Sequence, residues 1–255
     1  MGDPDEEGHR TAPVYAQIAA DLRSQIRSGR LRDGDRLPGE NALMHQYGVA
    51  RMTARQALAT LRYEGLAVSR KGSGVYVRLF KPIRRHGSKR LARSLWGEGG
   101  NIWGAGFEDR AVTVDRITID RIEADQELAD QFGIAEGSTL LRRSRRYVVE
   151  DRPVQQATSF LILDLVEGTQ IVERDTGPGG VFARLSELGH APADFSEMLT
   201  ARMPVPEEVA ALELPPGTPV LAITRLALTA EGRVVEVTRM LLDASCHVLS
   251  YDFSA

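Results

Sequence analysis

The sequence comprises 255 residues, 42% of them hydrophobic and 26% charged, with a formal net charge of -3. This length predicts two domains of ordinary size, each able to bury its own core. No apolar run approaches the length needed to cross a bilayer and the N-terminus is acidic and polar, so a cytoplasmic location is expected. The single cysteine, Cys246, excludes an intramolecular disulfide and a cysteine-based zinc cluster.

The small net charge hides a strong asymmetry along the chain. Residues 11–90 carry sixteen Lys and Arg against five Asp and Glu, a net of +11, whereas residues 91–255 carry a net of -11. A basic front and an acidic back indicate that only the front meets a polyanion. A basic face that is merely solvated is the alternative.

A first amphipathic helix is predicted directly after Pro13. Apolar residues recur there at steps of four, and the run ends at Ser28-Gly29. The apolar positions are Val14, Ile18, Leu22 and Ile26.

Residues 37–66, LPGENALMHQYGVARMTARQALATLRYEGL, predict two further helices joined at Tyr47-Gly48-Val49. Their apolar residues at helical spacing are Leu43, Met44 and Tyr47, and then Ala54, Ala57, Leu58 and Leu61. The first turns of the second helix carry Arg51, Thr53, Arg55 and Gln56 on the polar face. In a helix-turn-helix this end meets the base edges, and arginine can bond O6 and N7 of guanine together. The pattern therefore favours DNA binding.

A small hairpin is predicted after the helices, in LAVSRKGSGVYV at residues 66–77. Its tip would be Lys71-Gly72-Ser73-Gly74. Glycine there lets the backbone approach a sugar-phosphate surface, while Arg70 and Lys71 supply charge. A hairpin in this position is a wing, and we place the DNA-binding domain at residues 11–80.

Residues 81–93, KPIRRHGSKRLAR, form a basic stretch with Pro82 and Gly87 and no apolar periodicity. We interpret it as an interdomain linker, followed by a second domain at residues 94–255.

The second domain contains an internal repeat at an offset of 80 residues. Segments starting at Leu128 and Glu208 align without a gap, so that Gly137 falls on Gly217 and Arg145 on Arg225. Each predicts a short helix, a turn, a strand, a polar turn and a strand. The repeat indicates a duplicated half-domain in which helices flank an antiparallel sheet, an α+β fold with a ligand pocket between the halves.

The segments VYAQIAADLRSQIRSGRLRDGDRLPGENAL, VARMTARQALATLRYEGL and RKGSGVYV resemble the winged helix-turn-helix domain of the GntR family of bacterial transcription regulators. The resemblance implies DNA contacts from Arg51, Thr53, Arg55 and Gly72. With their neighbours, the full set of candidate DNA-binding residues is Asn41, Arg51, Met52, Thr53, Arg55, Gln56, Arg70, Lys71 and Gly72.

The second domain, through GPGGVFARLSELGH, ARMPVPEEVAAL and LPPGTPVLAITR, resembles the effector-binding (UTRA) domain of HutC-like GntR regulators, which has a chorismate-lyase-like fold. The resemblance implies a pocket for a small polar effector. Arg143, Arg145 and Tyr147 would share one face of a strand. The candidate effector-binding residues are Arg143, Arg145, Tyr147, Ser159 and Glu236. The alternative is a structural ion pair between Arg145 and Glu236, and Arg225 is expected to be structural.

These features predict a ligand-responsive transcriptional repressor that binds a palindromic operator as a homodimer. No cofactor or metal is expected, because the sequence lacks a metal-ligand array, a phosphate-cradling loop and a nucleophile elbow. Two alternatives stay open. One is an enzyme of chorismate-lyase-like type fused to a DNA-binding domain, and the other is a DNA-binding protein without an effector.

Overall fold

The structure, a computed structural model, describes residues 12–70, 72–79, 82–87, 89–100 and 110–252. The chain divides into two compact units at residues 80 and 81, with the turn Pro215–Gly217 grouped with the first. No helix in the described part of the chain is both long enough and apolar enough to span a membrane.

The first unit is three helices followed by a two-stranded hairpin, as the sequence predicts. Its elements are α1 (Val14–Arg27), α2 (Glu40–Tyr47), α3 (Arg51–Tyr63), β1 (Ala67–Arg70) and β2 (Gly74–Val77). The apolar stripes of α1 and α3 form the core, where Leu22 and Leu61 are almost fully buried. Val14 is an exception to the predicted stripe, because it lies in the first turn of α1 and is 50% exposed.

Glycine sets the ends of the two later helices. Gly39 precedes α2 without a side-chain cap, as predicted, and Gly48 ends it in the left-handed conformation. Gly48 has a φ of 63°, which any other residue would adopt only at a cost, so the chain can turn sharply into α3.

The second unit contains the remaining elements. Its strands are β3 (Ile83–His86), β4 (Val112–Glu123), β5 (Thr139–Val149), β6 (Arg152–Ile162), β7 (Asp194–Arg202), β8 (Val220–Leu228), β9 (Val234–Asp243) and β10 (His247–Ser250). Its helices are α4 (Arg93–Gly97), α5 (Gln126–Phe132), α6 (Leu163–Val166), α7 (Gly180–Glu187) and α8 (Pro206–Leu212), with 3-10 turns at Lys89–Leu91 and Gln170–Val172.

Six strands form one antiparallel sheet in the order β4-β5-β6-β9-β8-β7. Because alternate residues of a strand face opposite sides, Leu140 and Leu141 of β5 belong to different cores. Leu141 packs with residues of α4, α6 and α7, such as Trp96 and Phe182, on one face. Leu140 packs with α5 on the other face. The predicted α+β architecture, an antiparallel sheet with flanking helices, is confirmed.

The internal repeat appears as an approximate two-fold relation at the centre of the sheet. Thr158 pairs with Arg239 across β6 and β9, and Ser159 pairs with Thr238. Adding 80 to the first member of one pair gives the second member of the other, so the two pairs exchange. The relation extends to the outer strands, where Thr118 pairs with Ser144 and Met198 pairs with Thr224.

The linker prediction for residues 81–93 is wrong in the part that the structure describes. Residues 83–86 form β3, which pairs in parallel with β10, and Lys89–Leu91 is a 3-10 turn. Arg85 and Arg90 are each only 4% exposed and bind Glu197 of β7. The basic residues therefore look like a solvated tether in the sequence but are part of the second unit.

Candidate nucleic-acid interface and ligand cavity

The start of α3 presents two arginines to solvent. Their side chains are 65% exposed for Arg51 and 52% for Arg55. Both donate to the carboxylate of Glu40, the first residue of α2, through Nε at 2.6 Å from Arg51 and 2.9 Å from Arg55. Hydrogen bonds from Arg55 and then Arg51 hold the pKa of Glu40 at about 2. The guanidinium groups are thus oriented by a charged neighbour and are not folded into the domain interior.

The other predicted residues of the helix pair surround these arginines. Asn41, Met52 and Gln56 are exposed, Met52 by 67%, whereas Thr53 is half-buried. An exposed apolar Met52 beside two cations suits a surface that contacts both base edges and sugar groups.

The wing is the β1–β2 hairpin. Arg70 lies over the ring of Tyr76, with its guanidinium carbon 4.4 Å from the ring centroid. Gly72 has a φ of 72°, so the turn at the tip favours glycine. Lys71, which we also predict to contact DNA, lies outside the described residues.

A cavity of about 360 Å³ lies on the sheet face that carries Tyr147. The strands β4, β5 and β9 and the segment from Arg174 to the start of α7 line it. Arg145, Tyr147 and Glu236 come together there, as the sequence predicts. Burial raises the pKa of the Tyr147 phenol, which keeps this side chain a neutral hydrogen-bonding group.

Glu236 is held by Arg225, whose Nη2 donates to its Oε2 at 2.9 Å. Arg225 is completely buried, also donates to Thr238 at 3.3 Å, and lies over the ring of Phe182. The expectation that Arg225 is structural is supported by these contacts. They also fix one carboxylate oxygen of Glu236 at the cavity wall.

Arg143 and Ser159 do not belong with the residues that line this cavity. Arg143 is 1% exposed and donates to the carbonyl oxygens of Ile171, Glu173 and Arg174. Ser159 is equally buried and shares a hydrogen bond of 3.2 Å with Thr238. Both side chains face the predicted side of the sheet but are covered by neighbouring backbone or strands, so they stabilise the wall instead of contacting a ligand.

Sequence reasoning did not assign a role to the segment that covers the cavity. Arg174, Thr176 and the glycines of GPGG (177–180) line it, and Gly177, Gly179 and Gly180 all have positive φ. Backbone N–H groups at the start of α7 are available to an anion there. The run of glycines before a predicted helix was the signal that could have identified this segment.

Comparison with family models matches residues 14–77 to the bacterial regulatory proteins of the gntR family and residues 108–247 to the UTRA domain. The chain belongs to the GntR family. An HTH-type transcriptional regulator of Streptomyces coelicolor is 30% identical over 95% of this chain and 93% of its own length. The transcriptional repressor NagR of Bacillus subtilis is 27% identical over 88% of both proteins.

The crystal structure of another GntR-family regulator covers 96% of this chain and 98% of its own, with a TM-score of 0.61 and 25% identity. This GntR protein is therefore a transcriptional regulator with a UTRA effector domain. Its relatives are regulators and not enzymes, which confirms the expectation that it has no enzymatic activity.

Proposed function

We propose that this GntR regulator is a cytoplasmic homodimeric repressor. It binds a roughly palindromic operator through α3 and the wing, and it releases the operator when a small polar metabolite enters the cavity at Arg145. The observation that carries the proposal is the exposed pair Arg51 and Arg55 at the start of α3. Two-fold symmetry doubles the few base pairs that one such helix can read.

The DNA-binding part is supported by the geometry of the first unit. Arg51 and Arg55 project from the helix end that enters the major groove in helix-turn-helix proteins, and the Gly72 turn and Arg70 suit a backbone contact. The repressor part is supported by the similarity to NagR, whose name describes a repressor.

The effector part is supported by the chemistry of the cavity. Arg145 and Arg174 can bind an anionic group, aided by the N-terminus of α7, while Tyr147, Thr176 and Glu236 can bond hydroxyl groups. A volume of about 360 Å³ suits a metabolite of modest size. We therefore expect a polar ligand that carries an anion and several hydroxyls.

The test is selection of bound sequences from random DNA, repeated with variants. Arg51→Ala and Arg55→Ala should each lose about 1–3 kcal/mol of preference for the selected operator over random DNA, because each removes one bidentate arginine–guanine contact. Competition binding at fixed salt measures this preference. Arg121→Ala, an exposed arginine of the second unit paired with Glu167, is the matched control. Full specificity in both α3 variants would refute the assignment of this helix.

A further inference from the structure

The second unit contains another cavity on the same face of the sheet as the first. It has a volume of about 660 Å³ and lies between β7, the segment from Gly87 to Trp96, and Tyr251. Nothing in the proposed function uses it.

The two cavities occupy equivalent positions in the internal repeat. In the first, Ile117 of β4 lines the wall and pairs with Arg145 of β5. Adding 80 to each number gives Glu197 of β7, which lines the second cavity, and Arg225 of β8, with which Glu197 pairs. The duplication has therefore produced a cavity over each half of the sheet, but with a carboxylate in the second where the first has isoleucine.

The walls of the second cavity are mainly apolar and aromatic. Trp96, Phe195 and Tyr251 contribute rings, and Leu91 and Leu199 contribute aliphatic side chains. A flat ring can bury both faces against such a surface, and edge-to-face contacts add to the burial. These walls indicate an aromatic ligand.

The polar end of the cavity has more donors than acceptors. Glu197 accepts hydrogen bonds from Arg85 at 2.6 and 3.1 Å, from Arg90 at 2.7 Å and from the Tyr251 hydroxyl at 3.1 Å. A carboxylate offers about four acceptor positions, so four donors leave it little capacity for a ligand.

The guanidinium groups at this end are not balanced by Glu197 alone. Arg85 and Arg90 share this one carboxylate, and Nε of Arg90 is buried without a hydrogen-bond partner among the described residues. Burial, with the nearby charges of Arg85 and Arg225, lowers the pKa of Arg90 to about 9. An added anion would relieve this excess of positive charge.

We propose that the second cavity is a binding site for a small aromatic carboxylate. The ring lies against Trp96 and Phe195, and the carboxylate lies at the Glu197 end, near Arg85 and Arg90. The site is separate from the cavity at Arg145, so its ligand is a second effector.

Fluorescence of Trp96 in the full chain tests the proposal. The sequence has two tryptophans, so Trp103→Phe leaves Trp96 as the only indole reporter. Benzoate should change this fluorescence with a saturable curve, and benzamide and benzylamine, its neutral and cationic analogues, should bind at least tenfold more weakly. Absence of saturable binding by benzoate, or equal binding by benzylamine, would overturn the proposal.

Two matched variants locate the probe. Ala193→Tyr fills the second cavity and Val114→Tyr fills the first, and both substitutions are made at exposed positions that line their cavities. In the Trp103→Phe chain, Ala193→Tyr should weaken benzoate binding at least tenfold and Val114→Tyr should leave it unchanged, with thermal melting to verify the fold. Loss of binding only with Val114→Tyr would place benzoate in the first cavity and refute the second site.

Discussion

Glu40 determines how Arg51 and Arg55 are oriented before they meet DNA. Its carboxylate lies at the start of α2 and accepts hydrogen bonds from both arginines at the start of α3. With a pKa of about 2 it stays ionised throughout the physiological range. It thus reduces the local positive charge while restricting the positions of two long side chains, so it favours selective over general DNA binding.

We expect Glu40→Gln to lower selectivity while raising general affinity. Loss of the negative charge strengthens attraction to phosphates, and loss of the paired hydrogen bonds frees both guanidinium groups. Affinity for random DNA should rise and the ratio of operator to random affinity should fall severalfold in fluorescence anisotropy titrations. Glu64→Gln, which removes a carboxylate paired with Arg23 in the same unit, should keep the ratio. An unchanged ratio in Glu40→Gln would contradict an orienting role.

Arg143 is expected to stabilise the fold without a direct role in ligand binding. Its guanidinium donates to three carbonyl oxygens of the segment beside the first cavity. Arg143→Met leaves those oxygens without their donor and should lower the free energy of unfolding by about 1–3 kcal/mol. Urea denaturation measures the loss. Arg142→Met, on the opposite face and paired with Asp120 near the surface, should cost about 1 kcal/mol or less.

The sequence predicted the exposed arginines but misjudged the buried one. Arg51 and Arg55 follow from helical spacing, which is a local property. Arg143 shares its strand face with Arg145, and alternation alone cannot separate them. The difference arises because the backbone at residues 171–174, about thirty positions later, covers Arg143 and leaves Arg145 at a cavity.

At the scale of elements, the β3–β10 pair shows why a short polar strand escapes detection. Its buried positions are Ile83 and Arg85, and a buried arginine reads as solvated in any hydrophobicity pattern. Its partner Glu197 lies 112 residues away in sequence. The long strands β5, β6, β8 and β9 were predictable because their alternation extends over nine or more residues.

The same strand pair contains a buried histidine that should make the second unit sensitive to acid. Burial, outweighing the hydrogen bond to the Asp243 carbonyl, lowers the pKa of His247 to about 4 from 6.5. Between these values the unfolded chain binds a proton that the folded chain does not. Stability is therefore greatest above pH 6.5 and falls as the pH drops to 4, by about 1.4 kcal/mol for each unit of pKa difference.

We expect His247→Gln to reduce this pH dependence. The difference in unfolding free energy between pH 7.5 and pH 5 should be smaller than in the parent protein, as measured by urea denaturation at both values. His190→Gln, a half-buried histidine of the same unit, is the control and should keep the parent difference. An unchanged difference in His247→Gln would show that other groups dominate the acid response.

At the scale of the whole molecule, the proposed regulation couples two binding events. A ligand can weaken operator binding only by its preference for the form of the dimer that does not fit DNA, typically about 1–3 kcal/mol. The inducing ligand and the operator should therefore each weaken the binding of the other by the same factor.

Arg145→Ala should separate the two events. Operator affinity without ligand should stay within about twofold of the parent, because Arg145 lies in the second unit, whereas release by the inducing metabolite should be lost. Gel-shift titrations with and without a metabolite that releases the parent protein measure both. Arg142→Ala, on the opposite face of the same strand, should respond like the parent. Equal release in both variants would exclude Arg145 from the effector site.

The start of β3 has a consequence for which DNA sites can be bound. The backbone N–H of Leu79 is tied to Asp33 of the first unit at 2.6 Å, and β3 of the second begins at Ile83. Four residue steps span at most about 14 Å. An insertion of five base pairs between half-sites adds about 17 Å and turns one groove to the opposite side of the duplex. If two copies associate through their second units, as proposed, the gap between the two halves of the recognition sequence is fixed by chain length, and sites altered by such an insertion should not be occupied.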